Sequence, residues 1–218
     1  MNVLVVDVGG TSVKLAVANE PERRRTPSGS TMSAPDMVAA VLELAGEWQY
    51  EAVSIGLPGP VRDGNVVAEP NNLGSGWVGF DFSTAFGRQV RIINDAAMQA
   101  LGSYEGGRML FLGLGTGLGS AMIVEDVIVP MELADLPYKR GRSFEDWVGA
   151  RGLSRLGSRK WEQTVRDVLD RLKSALQPDH IVLGGGNAQR LSELPGYASV
   201  CSNDNAFVGG FRLWENRG

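Results

Sequence analysis

The first segment of the sequence whose residue types could do chemistry is DVGGTSVK, residues 7–14, which directly follows a run of apolar residues. This pattern predicts a buried strand, a tight glycine turn and a second strand with alternating apolar residues. Gly9 and Gly10 can adopt positive φ and carry no Cβ, so backbone N–H groups can approach a phosphate closely. Thr11 and Lys14 add a hydroxyl and a positive charge.

The same arrangement recurs about a hundred residues later, which indicates an internal duplication. The segment MLFLGLGTGLGSAMI, residues 109–123, again consists of an apolar run, a glycine turn with a threonine and a second apolar run. A third glycine turn follows a further apolar run and precedes a predicted helix. One glycine hairpin alone is a weak signal, but three glycine turns of this type in one chain favour phosphate binding. The predicted phosphate-binding residues of the second and third turns are Gly115, Thr116, Gly117, Gly184, Gly185 and Gly186.

Asp95 is a candidate for a catalytic base. It follows a short apolar strand that ends at Asn94 and stands where a helix is predicted to begin. Open α/β folds bind ligands at this edge of the sheet, although Asp is also a common helix N-cap. A hydroxyl group that attacks a phosphoryl group must lose its proton, which a carboxylate can accept. His180 is the only histidine, so serine–histidine or cysteine–histidine catalysis has little support.

The composition limits the partners that we expect. The 218 residues carry a net charge of −4 without a long basic run, so nucleic acid is not the expected ligand. The single cysteine, Cys201, excludes an intrachain disulfide and a Cys-cluster zinc site. The sequence opens with a strand pattern and has neither a leader-like segment nor a long apolar run, so we expect a cytoplasmic protein with no membrane partner.

Taken in order, the motifs DxGGTxxK, GLPGP, Asn-Asp, GTGxG, ExxD and GGG resemble those of the ROK family of sugar kinases. The family belongs to the actin/hexokinase/Hsp70-like ATPase superfamily, and the nearest branch is similar to polyphosphate glucokinases. The resemblance implies an α/β, actin-like ATPase fold (ribonuclease H-like) with two lobes, each a mixed β-sheet flanked by helices, and a cleft between them. We expect an N-terminal lobe at residues 1–107 and a C-terminal lobe at residues 108–218.

The resemblance also implies a role for each candidate residue. Asp95 is expected to accept the proton of the 6-hydroxyl of a hexose, with glucose as the first candidate. Asp7 is expected to organise Mg²⁺ through water, because this ion keeps much of its hydration. The glycine turns are expected to hold the phosphates of ATP or polyphosphate. The residues expected to position the sugar are Asn72, Asn94, Glu132, Asp135 and Glu145.

The sequence departs from the family pattern at two places. Asp135 stands where the family has a histidine in its sugar-binding Glu-x-Gly-His or Glu-x-Ala-His element, and an ionised Asp cannot donate a hydrogen bond. The Cys-rich zinc segment is replaced by the basic loop Lys139-Arg140-Gly141-Arg142, so no structural zinc is expected. This loop is either a solvated turn or a contact for an anionic donor. The first departure leaves a catalytically weak or inactive sugar-binding sensor as the alternative.

The periodicity of the sequence predicts the elements that hold these residues. A β-β-β-α-β order is expected at the start, with a helix capped by Ser33 and Asp36. A long amphipathic helix is expected from Trp161 to Leu176, and residues 203–214 are expected to form a closing helix on the second lobe. Family analogy suggests a homodimer. A DNA-binding repressor of the family is disfavoured because the sequence has no helical domain before its first strand.

Overall fold

A computed structural model describes residues 1–18 and 20–215 of the chain. The chain forms two compact units, of which the first comprises Met1–Met98 and the C-terminal stretch from Ala206. Its elements in chain order are β1 (Val3–Val8), β2 (Ser12–Val17), β3 (Arg24–Pro27), α1 (Ala34–Ala45), β4 (Ala52–Leu57), β5 (Val61–Arg62), β6 (Asn65–Val66), α2 (Phe82–Phe86), β7 (Gln89–Asn94), the start of α3 (Asp95–Ser103), and α7 (Asn205–Arg212), which begins one residue before this stretch. The predicted β-β-β-α-β order is therefore confirmed.

The first sheet has the strand order β3-β2-β1-β4-β7. Strand β1 is antiparallel to β2 and parallel to β4, which in turn is parallel to β7. Asp7 is paired in register with Gly56, and Leu57 with Asn94. Because parallel strands end at the same edge of a sheet, Asp7, Gly56 and Asn94 lie along one edge.

Helix α1 begins as the sequence predicts. The Ser33 Oγ accepts a hydrogen bond from the Asp36 N–H at 3.3 Å, and the Asp36 carboxylate accepts one from the Ser33 N–H at 3.1 Å. This reciprocal capping satisfies two backbone donors at the start of the helix. The apolar face packs against the sheet through Val38 and Val41, whereas Leu42 is 41% exposed.

The C-terminal helix α7 packs on the first sheet, which differs from the expectation that it closes the second lobe. Phe207 lies in a buried cluster with Val3 and Val5 of β1. The buried Ser54 hydroxyl of β4 donates to the Gly210 carbonyl oxygen at 2.6 Å and accepts from the Trp214 indole N–H at 2.8 Å. Periodicity predicts that a helix has an apolar face, but it does not specify which sheet that face covers.

The second unit, Gln99–Asn205, repeats the topology of the first. Its sheet has the order β10-β9-β8-β11-β12, in which β8 is antiparallel to β9 and parallel to β11. The matching strand orders agree with the duplication inferred from the glycine turns. The elements of this unit are β8 (Arg108–Leu114), β9 (Leu118–Val124), β10 (Val127–Met131), a 3₁₀ turn (Leu133–Asp135), α4 (Phe144–Val148), α5 (Ala150–Leu156), α6 (Ser158–Leu176), β11 (His180–Gly184), a 3₁₀ turn (Ala188–Arg190) and β12 (Ala198–Val200).

Two expectations for this unit had different outcomes. Helix α6 confirms the predicted long amphipathic helix, and its apolar face, which includes Trp161 and Leu169, is buried against the sheet. The helix expected after the third glycine turn is wrong, because only a 3₁₀ turn, Ala188–Arg190, forms there. In the described part of the chain, every helix is too short or too polar to cross a membrane.

The close contact between α7 and β1 predicts the effect of a small substitution. A Cβ atom on Gly210 would lie 2.3 Å from the Val5 Cγ1 atom, inside a buried cluster. Overpacking of this kind costs about 1–3 kcal/mol, which exceeds the gain of about 1 kcal/mol from placing Ala instead of Gly in a helix. We therefore expect Gly210→Ala to lower the free energy of unfolding by up to about 2 kcal/mol in a denaturant titration.

Val208, on the same helix, provides the control because its side chain is 38% exposed. Val208→Ala should change the free energy of unfolding by less than about 0.5 kcal/mol. A Gly210→Ala variant as stable as the original protein would contradict the packing of α7 on β1.

Candidate active site

The first glycine turn is tight because of close contacts rather than positive φ. Neither Gly9 nor Gly10 has a positive φ angle, which corrects the reason that we gave for these glycines. The Gly9 N–H donates to the Ser12 carbonyl oxygen at 3.0 Å and closes the turn. A Cβ atom on Gly10 would lie 3.0 Å from the Asn72 Cβ atom, so the turn leaves room for Asn72.

Asp7 and Lys14 form an ion pair beside this turn. The Lys14 Nζ atom lies 3.1 Å from the Asp7 Oδ2 atom, and the two residues face each other across β1 and β2. The Asp7 side chain is only 17% exposed, whereas that of Lys14 is 45% exposed. A mostly buried carboxylate and an accessible ammonium group therefore stand together beside the first glycine turn.

Asn94, rather than Asp95, caps helix α3. The Asn94 Oδ1 atom accepts from the Ala97 N–H at 3.1 Å, and its Nδ2 atom donates to the Gly59 carbonyl oxygen at 3.2 Å. The Asp95 Oδ1 atom accepts from the N–H of its neighbour Ala96 at 2.8 Å. Asn94 thus has the helix-capping role that was the alternative interpretation of Asp95. Its amide also forms a hydrogen bond with the GLPGP turn.

Gly56 lets strand β4 and helix α3 approach each other at Asp95. A Cβ atom on Gly56 would lie 2.3 Å from the Met98 Cε atom and 3.5 Å from the Asp95 Cα atom. A side chain at this position would overlap the buried end of Met98, and its Cβ atom would be in van der Waals contact with the start of α3. We did not predict this residue, although a glycine inside a strand commonly marks a close approach of backbone.

Glu69 ties together the connector that carries Asn72. Its carboxylate accepts from the Trp77 N–H at 3.1 Å and from the Val78 N–H at 3.3 Å. The hydrogen bond from Trp77 is the main reason that the pKa of Glu69 is lowered. The bonds close residues 69–78 into a loop, and the exposed Asn72 stands in that loop beside Gly10.

The second glycine turn holds a carboxylate. The Glu145 Oε2 atom accepts from the Leu118 N–H at 3.2 Å, and a Cβ atom on Gly117 would lie 2.3 Å from that oxygen. Gly115 has open space around the corresponding position. Gly117 is therefore required for the placement of Glu145, whatever else the turn binds. The Glu145 Oε1 atom also pairs with Arg151 at 3.1 Å.

The third glycine turn packs directly against the second. Gly185 has a φ of +81°, and a Cβ atom there would lie 2.5 Å from the Leu114 carbonyl oxygen. Asn187 joins the two turns, because its N–H donates to Leu114 and its Nδ2 atom donates to the Gly115 carbonyl oxygen, each at 3.0 Å. The role of Asn187 was not predicted, since only its position after three glycines could have indicated it.

Glu132, Asp135 and Glu145 form an acidic group in the second unit. The turn that carries Glu132 is fixed by the buried Ser120, whose hydroxyl donates to the Met131 carbonyl oxygen at 2.7 Å and accepts from the Leu133 N–H at 3.1 Å. Partial removal from water raises the pKa of Glu132, and the charges of Asp135 and then Glu145 raise it further. The three predicted carboxylates are therefore close enough to interact.

The structure thus places the predicted residues in two sets. In the first unit, the sheet edge and the first turn bring together Asp7, Gly9, Gly10, Lys14, Asn72, Asn94 and Asp95, and Thr11 lies exposed in the turn. In the second unit, the two glycine turns bring together Gly115, Thr116, Gly117, Gly184, Gly185 and Gly186, with Glu145 on the second turn and Glu132 and Asp135 beside it. Arg151, which pairs with Glu145, was not predicted because the contact depends on tertiary structure.

The charges of the acidic group predict how the pKa of Glu132 responds to substitution. Asp135→Asn removes the larger of the two charge effects, so the ionised form of Glu132 becomes more favourable and its pKa should fall. Glu145→Gln should lower the pKa in the same direction by a smaller amount. Glu132 would then ionise at lower pH in both variants, which a carboxyl-carbon NMR titration measures.

Glu193→Gln is the control, because Glu193 pairs with Arg166 and does not contribute to the shift at Glu132. An unchanged Glu132 pKa in Asp135→Asn would show that the two carboxylates do not interact.

Comparisons with known proteins agree with this architecture. The polyphosphate glucokinase of Mycobacterium tuberculosis is 27% identical, over 85% of this chain and 77% of that protein. The crystal structure of the inorganic polyphosphate/ATP-glucomannokinase of Arthrobacter sp. strain KM superposes with a TM-score of 0.78 at 24% identity, covering 96% of both chains. A ROK family glucokinase from Streptomyces griseus, solved with glucose and AMPPNP, gives a TM-score of 0.75 at 18% identity, over 98% of this chain and 99% of that chain.

These structural likenesses confirm the predicted α/β, actin-like ATPase fold. The sequence model of the ROK family matches residues 3–129, which is more than half of the chain. That stretch includes the first two glycine turns, the edge of the first sheet and Asp95. The protein is therefore a member of the ROK family.

Proposed function

We propose that this protein is a sugar kinase that transfers a phosphoryl group from ATP or polyphosphate to the 6-hydroxyl of a hexose, with glucose as the first candidate. The observation that carries the proposal is the position of Asp95. This carboxylate stands at the start of α3, beside the ends of β4 and β7, while Asn94 serves as the helix cap. A carboxylate at this edge of an α/β sheet, in a ROK family chain, is suited to act as a general base.

The names of the relatives support this reaction class. The M. tuberculosis relative is a polyphosphate glucokinase, and the S. griseus structure holds glucose and AMPPNP. A glucokinase of Pyrobaculum calidifontis is 28% identical over 58% of this chain and 44% of its own length. Hexokinase-type phosphoryl transfer is common to these proteins, whereas the donors in their names include both polyphosphate and ATP.

Asp95 would take the proton of the sugar hydroxyl as it attacks the phosphoryl group. The transition state of phosphoryl transfer is loose, so catalysis depends on positioning and on charge neutralisation. The Asn94 side chain caps the helix that begins at Asp95, and Gly56 leaves room for the start of that helix. A base held in this way loses little freedom when the substrate binds.

The glycine turns would hold the donor phosphates. At the first turn, backbone N–H groups and the Lys14 ammonium group would contact the phosphates. At the second turn, the contacts would come from the backbone of Gly115, Thr116 and the adjoining third turn. Asp7 fits a Mg²⁺ ion held through water, since the ion is commonly bound by one or two carboxylates together with substrate phosphates. When bound there, the ion would neutralise phosphate charge.

The sugar would contact Asn72, Glu132, Asp135 and Glu145. Carboxylates accept hydrogen bonds from hydroxyl groups, and the Asn72 amide can both donate and accept. Asn94 enters the proposal as a positioning residue, because both ends of its amide are engaged within the protein. A cytoplasmic location and a homodimer remain part of the proposal by family analogy.

Replacing the base tests the mechanism. Asp95→Asn keeps the size of the side chain and removes its ability to accept the proton. We expect kcat for hexose phosphorylation to fall by about 10²- to 10⁴-fold, while hexose binding measured by calorimetry is retained.

The control is Asp63→Asn, because Asp63 is exposed and has a φ of +50°, which Asn tolerates. It should leave kcat within about twofold of the original protein. Sugar binding without turnover in the unmodified protein would support the alternative, a sugar-binding sensor.

The glycines of the second turn provide a matched pair that tests the sugar site. Gly117→Ala would displace the Glu145 carboxylate and weaken a charged hydrogen bond to the sugar, so we expect the hexose KM to rise about tenfold. Gly115→Ala meets open space and should change the hexose KM by less than about twofold. Equal effects of the two substitutions on the hexose KM would argue against a sugar-binding role for Glu145.

A further inference from the structure

One segment of the second unit has a charge opposite to that of the whole chain. Residues 137–160 contain seven basic and two acidic residues, a net charge of +5, whereas the chain as a whole carries −4. The remaining residues therefore carry −9. All seven basic side chains of the segment are exposed. A local excess of this size attracts anionic ligands despite the negative charge of the rest of the protein.

A continuous chain of contacts links part of this segment to the second glycine turn. The Ala150 N–H donates to the carbonyl oxygens of Gly115 at 3.1 Å and Thr116 at 3.2 Å. Arg151, the next residue, pairs with Glu145 at 3.1 Å, and Glu145 in turn accepts from the Leu118 N–H. The first basic side chain therefore stands beside the turn that is proposed to hold donor phosphates.

The contacts continue from Arg151 to the basic loop. Arg155 lies one helical turn after Arg151 and donates to the Asp146 carbonyl oxygen at 2.7 Å. Its guanidinium carbon lies 5.1 Å from the centre of the Trp147 ring. On the other side, the Trp147 indole N–H donates to the Lys139 carbonyl oxygen at 3.0 Å. We call the exposed side chains along this path the basic strip, which consists of Lys139, Arg140, Arg142, Arg151 and Arg155.

The fold holds the basic loop in a defined shape. Arg140 and Gly141 have φ angles of +55° and +67°, and the Arg142 N–H donates to the Lys139 carbonyl oxygen at 3.2 Å. The bridge between Pro137 and Ser143 closes the base of the loop. Such an ordered turn loses less conformational entropy when it binds a ligand than a flexible loop does.

Much of the positive charge of the strip remains available. Among residues 1–18 and 20–215, the salt bridges of the strip are those of Lys139 with Asp167 and of Arg151 with Glu145 and Asp146. Arg140, Arg142 and Arg155 thus have no carboxylate partner in that part of the chain. Asp146, the other acidic residue of the segment, accepts from the Ser143 N–H at 3.2 Å in the cap of α4.

We propose that the basic strip binds the inorganic polyphosphate chain beyond the phosphates held at the second glycine turn. This inference rests on the proposed kinase function, and it names polyphosphate as a phosphoryl donor of this protein. A repeating linear anion can contact cations spread along a path, whereas ATP offers only three phosphates, which we place at the turn. The strip would therefore raise the affinity for long polyphosphate more than that for ATP.

The test compares two variants with the same change in charge. Arg140→Gln/Arg142→Gln removes two cations of the strip, and Lys160→Gln/Arg166→Gln removes two exposed cations of α6 outside it. Binding of long-chain polyphosphate and of tripolyphosphate to the full chain is measured by calorimetry without sugar. We expect the strip variant to bind long chains about fivefold more weakly, with less than about a twofold change for tripolyphosphate. The control variant should change neither affinity by more than about twofold.

The kinetic readout separates this inference from the proposed function. In a phosphorylation assay, the strip variant should raise the apparent KM for long polyphosphate about fivefold and that for ATP by less than about twofold. Strip-dependent polyphosphate binding in a protein without turnover would support the inference and contradict the kinase function. Equal polyphosphate affinities in the two variants would overturn the inference even if sugar is phosphorylated. Binding of single-stranded RNA as tightly as polyphosphate would also overturn it.

Discussion

The part of the candidate site that lies in the first unit depends on one constraint, the close approach of helix α3 to strand β4. Gly56 lies at this approach, and a Cβ atom there would overlap the Met98 side chain and lie 3.5 Å from the Asp95 Cα atom. The parallel register of the strands then brings Asp7 to the same edge of the sheet. The proposed base and the proposed metal-binding carboxylate are thus positioned by backbone geometry, which is more rigid than side-chain contacts alone.

In the second unit, glycines of the second and third turns likewise leave space for neighbouring groups. Gly117 makes room for the Glu145 carboxylate, and Gly185 makes room for the backbone of Leu114. The second glycine turn therefore holds the Glu145 carboxylate and packs against the third glycine turn. Opposite charges therefore meet at Glu145, which belongs to the group of three carboxylates and pairs with Arg151 of the basic strip. Such an arrangement suits a neutral sugar and a polyanionic donor that bind separately.

Much of this organisation could be predicted from the sequence, and the rest depends on tertiary contacts. Local patterns predicted the glycine turns, the capped helix at Ser33 and the amphipathic helix α6. They did not predict that α7 packs on the first sheet, since an apolar face does not specify its partner. They also gave the wrong reason for Gly9 and Gly10, where close contacts rather than positive φ require glycine. Asn187 and Gly56 were missed because their contacts are with residues distant in sequence, and Arg151 was missed because its contact with Glu145 crosses from α5 to α4.

The central claim is that this ROK family chain phosphorylates a hexose. The most direct measurement follows hexose 6-phosphate formation by ³¹P NMR, with the purified chain, Mg²⁺, glucose and either ATP or long-chain polyphosphate. We predict hexose 6-phosphate with at least one of the two donors. If the basic strip binds polyphosphate, polyphosphate should be one of the donors that give product. Absence of product with both donors across a panel of hexoses, from a folded protein that still binds sugar, would contradict it.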